Sequence, residues 1–175
     1  FDVGTGGYDV FVATEAGGLA IPGHFAFGSD GNLYVTSQFE GDRTQDAVKR
    51  YSGATGAYLG DFVTSGSGGL SQAAGIGFGP DSHLYVVTNG TTGGRVVNRY
   101  NGQTGAFIDI FVPAGSGGIA HPSQLLFHTD GHLYVGDHVN PKVYRYSATT
   151  GAFEDVLTAS LGSSASVISV SGMAF

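Results

Sequence analysis

The sequence contains no cysteine and no tryptophan. Without cysteine the chain forms no disulfide bond and no thiolate metal site, and cysteine usage gives no indication of the redox compartment. Proline is scarce as well, at 5 of 175 residues. No apolar run approaches the roughly 20 residues that cross a bilayer, so the sequence predicts no membrane span.

Cationic side chains are also few. The chain has 7 Lys and Arg residues against 14 Asp and Glu residues, which gives a net charge of −7, and only 12% of its residues are charged. The densest cationic group is Arg43, Lys49 and Arg50, with Asp42 and Asp46 among them. Because phosphate contacts need concentrated positive charge, the composition disfavours nucleic-acid binding.

Glycine is abundant, at 31 residues, and the chain repeats itself. The stretch "FGSDGNLYV" begins at Phe27, "FGPDSHLYV" at Phe78 and "FHTDGHLYV" at Phe127, and the sequence ends on "GMAF" at Phe175. The phenylalanines are spaced by 51, 49 and 48 residues. Self-similarity at a fixed period indicates a repeat architecture.

Each period predicts four strands. An apolar segment leads through an Asp-Gly hairpin to "LYV", and a variable loop then leads to "VKRY", "VNRY" or "VYRY", starting at Val48, Val97 and Val143. A Thr-Gly turn precedes a fourth alternating segment such as "AYLGDFV". No segment long enough to form a helix has helical periodicity. Four antiparallel strands per period of about 40–50 residues are typical of a β-propeller blade.

Residues 120–153, "AHPSQLLFHTDGHLYVGDHVNPKVYRYSATTGAF", resemble an NHL-type propeller repeat. The longer pattern with "TGAF", "FVPAGSGG" and Asp-Gly before "LYV" resembles secreted bacterial propellers, and the streptogramin lyases have a similar repeat. The resemblance implies an all-β fold, a β-propeller of four-stranded antiparallel blades with about three and a half blades in this chain. It says little about function, since propellers serve binding, scaffolding and catalysis.

We expect one repeat domain over 1–175, divided into an outer-strand remnant, three blades and the first strand of a next blade. The units are 1–22, 23–69, 70–118, 119–162 and 163–175. Closed propellers need about 4–8 blades. The expected partners are therefore further blades of a longer parent chain or other copies of this chain, in a ring or an open filament.

Aromatic residues at repeated positions are expected to pack between neighbouring blades, because the interface repeats. These are Phe27, Phe78, Phe127, Tyr34, Tyr85, Tyr134, Tyr51, Tyr100 and Tyr146.

The repeated aspartates Asp30, Asp81 and Asp130 fit a hairpin better than a calcium loop. Each hairpin offers one carboxylate, whereas calcium takes several oxygen ligands. His128 and His132 flank the third hairpin and could hold a transition metal, but the other blades lack this pair, so a repeated metal site is excluded.

Candidate ligand-binding residues lie in the variable loops, where a repeated scaffold carries its specificity. Asp137, His138 and Asn140 form the densest polar group after "LYV". His24 and His121 each neighbour a proline at the start of an inner strand, near one rim of the propeller.

The acidic loop with Glu40, Asp42 and Asp46 is interpreted as a solvated loop rather than a cation site. Asn89-Gly90-Thr91 matches a glycosylation sequon, which applies if the protein is exported.

The sequence predicts no catalytic residues. We expect a secreted or cell-surface bacterial propeller that acts as a binding or structural module, with a carbohydrate or protein ligand and no cofactor. The alternative is an enzyme of lyase or lactonase type with a divalent cation on the loop face. Against it, the lyase pattern "G-P-D-G-x-L-W-F-T-E" has lost its tryptophan and glutamate here.

Overall fold

The computed structural model describes residues 9–41, 45–90, 94–140 and 142–158. They form three four-stranded antiparallel sheets, in each of which the strands lie side by side in chain order. We call the sheets blade 1 (residues 21–63), blade 2 (73–112) and blade 3 (122–158). Their strands are β1 Ile21–Phe27, β2 Leu33–Gln38, β3 Ala47–Tyr51, β4 Tyr58–Val63, β5 Ala73–Phe78, β6 Leu84–Thr88, β7 Val96–Tyr100, β8 Phe107–Val112, β9 Pro122–Phe127, β10 His132–Asp137, β11 Lys142–Ser147 and β12 Phe153–Thr158.

The predicted all-β class and the three complete blades are confirmed. Helical geometry in the described ranges is limited to short 3-10 turns, among them Ser67–Gly69 and Ser116–Gly118 in the connections between blades. Blade 1 begins at Ile21, slightly before the predicted start at residue 23. The predicted first strand of a next blade, at 163–175, lies outside the described residues.

The predicted outer-strand remnant, 1–22, forms no strand over residues 9–20, the part of it that the structure describes before blade 1. This segment nevertheless packs like the end of an outer strand. A β-carbon added to Gly56 would lie 1.7 Å from the carbonyl oxygen of Phe11, so the two backbones touch. The same backbone contact joins Gly105 to Phe62 and Gly151 to Phe111.

The Asp-Gly segments form the predicted hairpins. Asp30 Oδ1 accepts the backbone N–H of Asn32 at 3.0 Å, and Asp30 Oδ2 accepts the hydroxyl of Tyr34 at 2.9 Å. The tyrosine bond was not predicted, and it fastens each hairpin to the strand that follows. Equivalent pairs of bonds link Asp81 to His83 and Tyr85, and Asp130 to His132 and Tyr134.

The inner strands β1, β5 and β9 lie next to one another, so the blades stack around their inner edges. Phe78 of blade 2 packs on Tyr34 of blade 1 with ring centroids 5.0 Å apart, and Phe127 of blade 3 packs on Tyr85 at 4.6 Å. Tyr34 and Tyr85 are at most 1% exposed. Aromatic packing between blades is therefore confirmed for these four residues.

A second tyrosine in each blade bonds to the segment that precedes the blade. The hydroxyls of these tyrosines donate to backbone carbonyls, each at 2.9 Å, in the pairs Tyr51–Ala16, Tyr100–Ser67 and Tyr146–Ser116. Because the acceptors are main-chain carbonyls, the bond does not depend on the side chain of the accepting residue.

The outward surface of β1 differs from those of β5 and β9. The prediction that Phe27 packs between blades is wrong for the described residues, since Phe27 is 59% exposed and no described blade precedes it. Phe25 is 67% exposed, whereas Ile76 and Leu125 at the same repeat position are 6% and 8% exposed.

Candidate functional site

The loop face is the end of the blades where the loops after β2, β6 and β10 meet the segments that lead into β1, β5 and β9. One hydrogen bond holds it together in every blade. A side-chain oxygen at one repeat position near the end of each second strand accepts the backbone N–H of a residue one or two positions before the inner strand. The donor–acceptor pairs are Ala20–Ser37 at 3.3 Å, Ser71–Thr88 at 3.0 Å and Ala120–Asp137 at 2.9 Å.

Asp137 is buried and its carboxylate is surrounded by N–H donors. Besides the N–H of Ala120, it accepts the backbone N–H groups of His121, Val139 and Asn140 at 2.9–3.2 Å, and the side-chain amide of Asn140 at 3.2 Å. Burial alone would raise the pKa of the Asp137 carboxyl, but these hydrogen bonds outweigh it and lower the pKa to about 2. Asp137 and Asn140 thus hold the loop, and their contact with a ligand stays a prediction.

His121 and His138 are brought to the same place, because the backbone N–H of His138 donates to the carbonyl of His121 at 2.8 Å. The repeat position of His138 is a contact between blades elsewhere. In blades 1 and 2 it holds an amide side chain that donates to a backbone carbonyl of the next blade, Gln38 to Ala73 at 2.6 Å and Asn89 to Pro122 at 2.8 Å.

Asn89, the predicted glycosylation residue, therefore already makes a hydrogen bond between blades. A glycan would be attached to Asn89 Nδ2, the nitrogen that donates to Pro122 across the blade boundary. Thr91 of the sequon lies outside the described residues. Glycosylation of Asn89 stays a prediction, and it would replace a contact between blades.

His24 does not join this group. It lies in the middle of β1, and its Nε2 is 2.9 Å from the side-chain amide of Gln124 on β9. Gly75, at the same repeat position on β5, leaves the space between them, since a β-carbon there would lie 2.7 Å from Gln124 Cα. Burial lowers the pKa of His24, and a hydrogen bond with the backbone of Ala74 opposes this shift. Ligand binding by His24 stays a prediction.

Asp46 corrects the interpretation of the acidic loop as solvated. Its side chain is fully buried, and it accepts the backbone N–H groups of Phe39 at 2.8 Å and Gln72 at 2.6 Å. Gln72 leads into blade 2, so this carboxylate joins two blades. Glu40 is exposed as expected, and Asp42 lies outside the described residues.

The two histidines of the third hairpin, His128 and His132, lie within ion-pair distance of carboxylate groups. The Nδ1 atoms of His128 and His132 lie 3.1 and 3.0 Å from Asp130, and His132 Nε2 lies 3.0 Å from Glu154. Over the described ranges, no group of three or more His, Asp or Glu side chains has the arrangement that holds a metal ion. The divalent cation stays a prediction.

Comparison with known proteins supports the architecture. Solved structures similar to this chain include a gluconolactonase from Xanthomonas campestris (TM-score 0.56, 18% identity, 75% of this chain and 45% of that one) and a chain of a nidogen/laminin complex (0.56, 18%, 79% and 48%). A catalytically inactive virginiamycin B lyase from Staphylococcus aureus with quinupristin matches at TM-score 0.53 and 16% identity, over 83% of this chain and 43% of that one. The chain is a run of β-propeller blades.

The blades are of the NHL-like and streptogramin-lyase-like type that the repeats predict, at the level of fold. No family model matches the sequence, and no curated protein matches it. The propeller blades span less than half the length of the solved structures that they match. In the part of the chain that the structure describes, no helix is both long and apolar enough to cross a membrane.

Proposed function

We propose that this chain is a secreted, non-catalytic propeller module that binds or assembles through its blades. The observation that carries the proposal is the contrast between Phe25 on the open surface of blade 1, 67% exposed, and its repeat equivalents Ile76 and Leu125, 6% and 8% exposed between blades. A surface with the same repeat position and the same strand geometry fits another blade of this type.

The segment that precedes blade 1 supports the same partner. Phe11 and Ala16 contact blade 1 as the ends of blades 1 and 2 contact the blades that follow them. The outer part of a joint with a preceding blade is therefore already formed, and Phe25 and Phe27 mark its inner part, which no described blade fills. Such a blade would come from a longer parent chain or from a second copy.

Sedimentation velocity over a wide range of concentration tests this proposal. The chain is expected to self-associate, and Phe25→Ser is expected to weaken that association because it removes apolar area from the open surface. Leu59→Ser is the matched control, since Leu59 is 45% exposed on the outer strand β4. A chain that stays monomeric, or equal effects of the two substitutions, would contradict a second copy as the partner of blade 1.

Export is supported by the low charge and the glycine-rich composition. A direct measurement distinguishes the non-catalytic module from the alternative, an enzyme of lyase or lactonase type. Calorimetric titration with Ca²⁺, Mg²⁺ and Zn²⁺, followed by assay of lactone hydrolysis, is expected to show neither tight metal binding nor turnover. Metal-dependent turnover would favour the enzyme.

A further inference from the structure

An ion pair joins the third and fourth strands of blades 2 and 3. In blade 2, Arg99 Nε and Nη2 donate to the two carboxylate oxygens of Asp109 at 3.0 and 2.5 Å. In blade 3, Arg145 Nη2 donates to Asp155 at 2.6 Å. Each aspartate lies directly opposite its arginine in the pairing of the two strands. The pair is therefore a feature that the blades repeat.

Blade 1 has the arginine of this pair and lacks the carboxylate. The residue opposite Arg50 is Gly60. A β-carbon added to Gly60 would meet no atom within 4 Å, so the place of the missing side chain is open. Among the described residues, no carboxylate lies within ion-pair distance of Arg50. Arg50 is thus a half-buried cation without the partner that its equivalents have.

The guanidinium of Arg50 nevertheless lies where that of Arg99 lies. Its central carbon is 5.6 Å from the ring centroid of Phe62. The same carbon of Arg99 is 5.3 Å from the ring of Phe111, the residue at the same repeat position. A carboxylate that enters opposite Arg50 would therefore meet it as Asp109 meets Arg99.

The hairpin aspartate of blade 1 does not replace the missing carboxylate. The oxygens of Asp30 accept an N–H and an O–H group near the hairpin, and Asp30 lies beyond ion-pair distance from Arg50. In blade 2 the equivalent Asp81 lies 3.7 Å from Arg99, and Arg99 binds Asp109 as well. A hairpin aspartate therefore leaves room for a second carboxylate.

A cleft of about 130 Å³ lies beside Arg50 and Gly60, between β4 of blade 1 and the turn of blade 2 that precedes β8. From blade 2, Gln103 and Thr104 line it with an exposed amide and an exposed hydroxyl. Thr104 Oγ1 accepts the N–H of Ala106 at 3.3 Å, so its own proton is left to donate. Donors from two blades thus surround a space for about four water molecules.

We propose that this cleft binds a small organic carboxylate, at the place that Asp109 fills in blade 2. The carboxylate accepts N–H groups of the Arg50 guanidinium, whose planar shape suits two parallel bonds. The side chains of Gln103 and Thr104 donate to it from the opposite wall. Asp61, which also lines the cleft, has its charge offset by an ion pair with a lysine at 2.9 Å. The site is separate from the open surface of blade 1 and does not depend on assembly.

An NMR titration of the whole chain with sodium acetate, acetamide and sodium chloride at constant ionic strength tests the proposal. Acetate is expected to shift the backbone amide signals of Gly60 and Gln103 to saturation, because the ligand lies between them. Acetamide has nearly the same shape without the charge, and chloride has the charge without two oxygens. Each should bind about tenfold more weakly than acetate or worse, the effect of losing a charged hydrogen bond.

Substitutions on both sides of the missing ion pair locate the ligand. Arg50→Gln should weaken acetate binding by about tenfold or more. Arg95→Gln is the matched control, since it removes the same charge from an exposed arginine outside this cleft. Gly60→Asp supplies the carboxylate of the other blades and should bind acetate about tenfold more weakly than Gly60→Asn. The two Gly60 variants have side chains of equal size and share the backbone strain at φ +128°.

Each result decides the matter. No saturable binding of acetate, or equal binding by Arg50→Gln and Arg95→Gln, would overturn the proposal. Acetamide or chloride binding as tightly as acetate would overturn the pairing of a carboxylate with Arg50. Equal binding by the two Gly60 variants would overturn the position beside Gly60. The dispersion of the amide signals shows whether each variant is folded, and the Gly60 variants decide the matter if Arg50→Gln is not.

Discussion

Joint 1, between blades 1 and 2, and joint 2, between blades 2 and 3, share an interior and differ on the loop face. Inside, a phenylalanine packs on a buried tyrosine at 5.0 Å in joint 1 and 4.6 Å in joint 2. An amide-to-carbonyl bond crosses each joint at 2.6 and 2.8 Å. On the loop face, Asp46 bonds to Gln72 across joint 1, whereas Arg95 stands beside an open cleft in joint 2.

This comparison shows which contacts the packing of the blades requires and at which positions the residues can vary. The interior contacts involve fully buried tyrosine rings, so a change of shape there would leave a cavity or a clash. Joint 2 does without an acid at this position because the equivalent N–H groups have other partners: that of Gly90 donates to the carbonyl of Ser71, and that of His121 donates to Asp137. Loops freed from this structural task can carry binding.

Truncating the central tyrosines should have the largest effect. Tyr34→Ala and Tyr85→Ala are each expected to lower the free energy of unfolding by about 3–5 kcal/mol, as for other buried aromatic residues. Urea denaturation measures both values. Leu59→Ala, on the outer strand, should stay within about 0.5 kcal/mol of the unmodified chain. Clearly unequal losses for the two tyrosines would show that the joints do not share an interior.

Asp46→Ala should have the next largest effect, a loss of about 3 kcal/mol, because two buried N–H groups lose a charged acceptor. Arg95→Ala, at the same repeat position, should change the free energy of unfolding by less than about 0.5 kcal/mol. Thermal or urea unfolding of both variants compares the joints directly. A comparable loss from Arg95→Ala would mean that the loop face of joint 2 is also structural.

Acid should affect blade 3 through Asp137. Its carboxyl has a pKa of about 2 in the folded chain and about 3.9 when unfolded, so it contributes roughly 2 kcal/mol above pH 4 that is lost as the pH falls to 2. Asp137→Thr introduces the residue that blade 2 has at this position, Thr88. Urea unfolding between pH 5 and pH 2 should show a shallower loss for this variant, and an unchanged pH profile would contradict the assignment.

The smallest effect is expected in the hairpins. Ser82 has φ +63°, where blades 1 and 3 have Gly31 and Gly131 at +75° and +89°. Ser82→Gly should stabilise the chain by about 0.5–1 kcal/mol, because glycine adopts this conformation without strain. Gly31→Ser is the reverse control and should destabilise it. A destabilising Ser82→Gly would indicate that the serine side chain makes a compensating contact.

The sequence predicted the strands, the hairpins and the aromatic joints because repetition marks each of these features several times. It could not predict the hydrogen bond shared by Ser37, Thr88 and Asp137, since three different side chains perform the same task. Nor could it show that Asp46 is buried, because its N–H donor on Gln72 belongs to the next blade. The cleft beside Arg95 depends in the same way on how two blades meet.

The contact between Gly56 and Phe11, repeated at Gly105 and Gly151, has an evolutionary consequence. Both partners are main-chain atoms, so this contact between two successive blades does not depend on the side chains of the preceding blade. A gene segment encoding one unit could be duplicated, deleted or exchanged without redesigning its neighbours. Propellers of different size can then arise from one ancestral unit, while each loop diverges on its own.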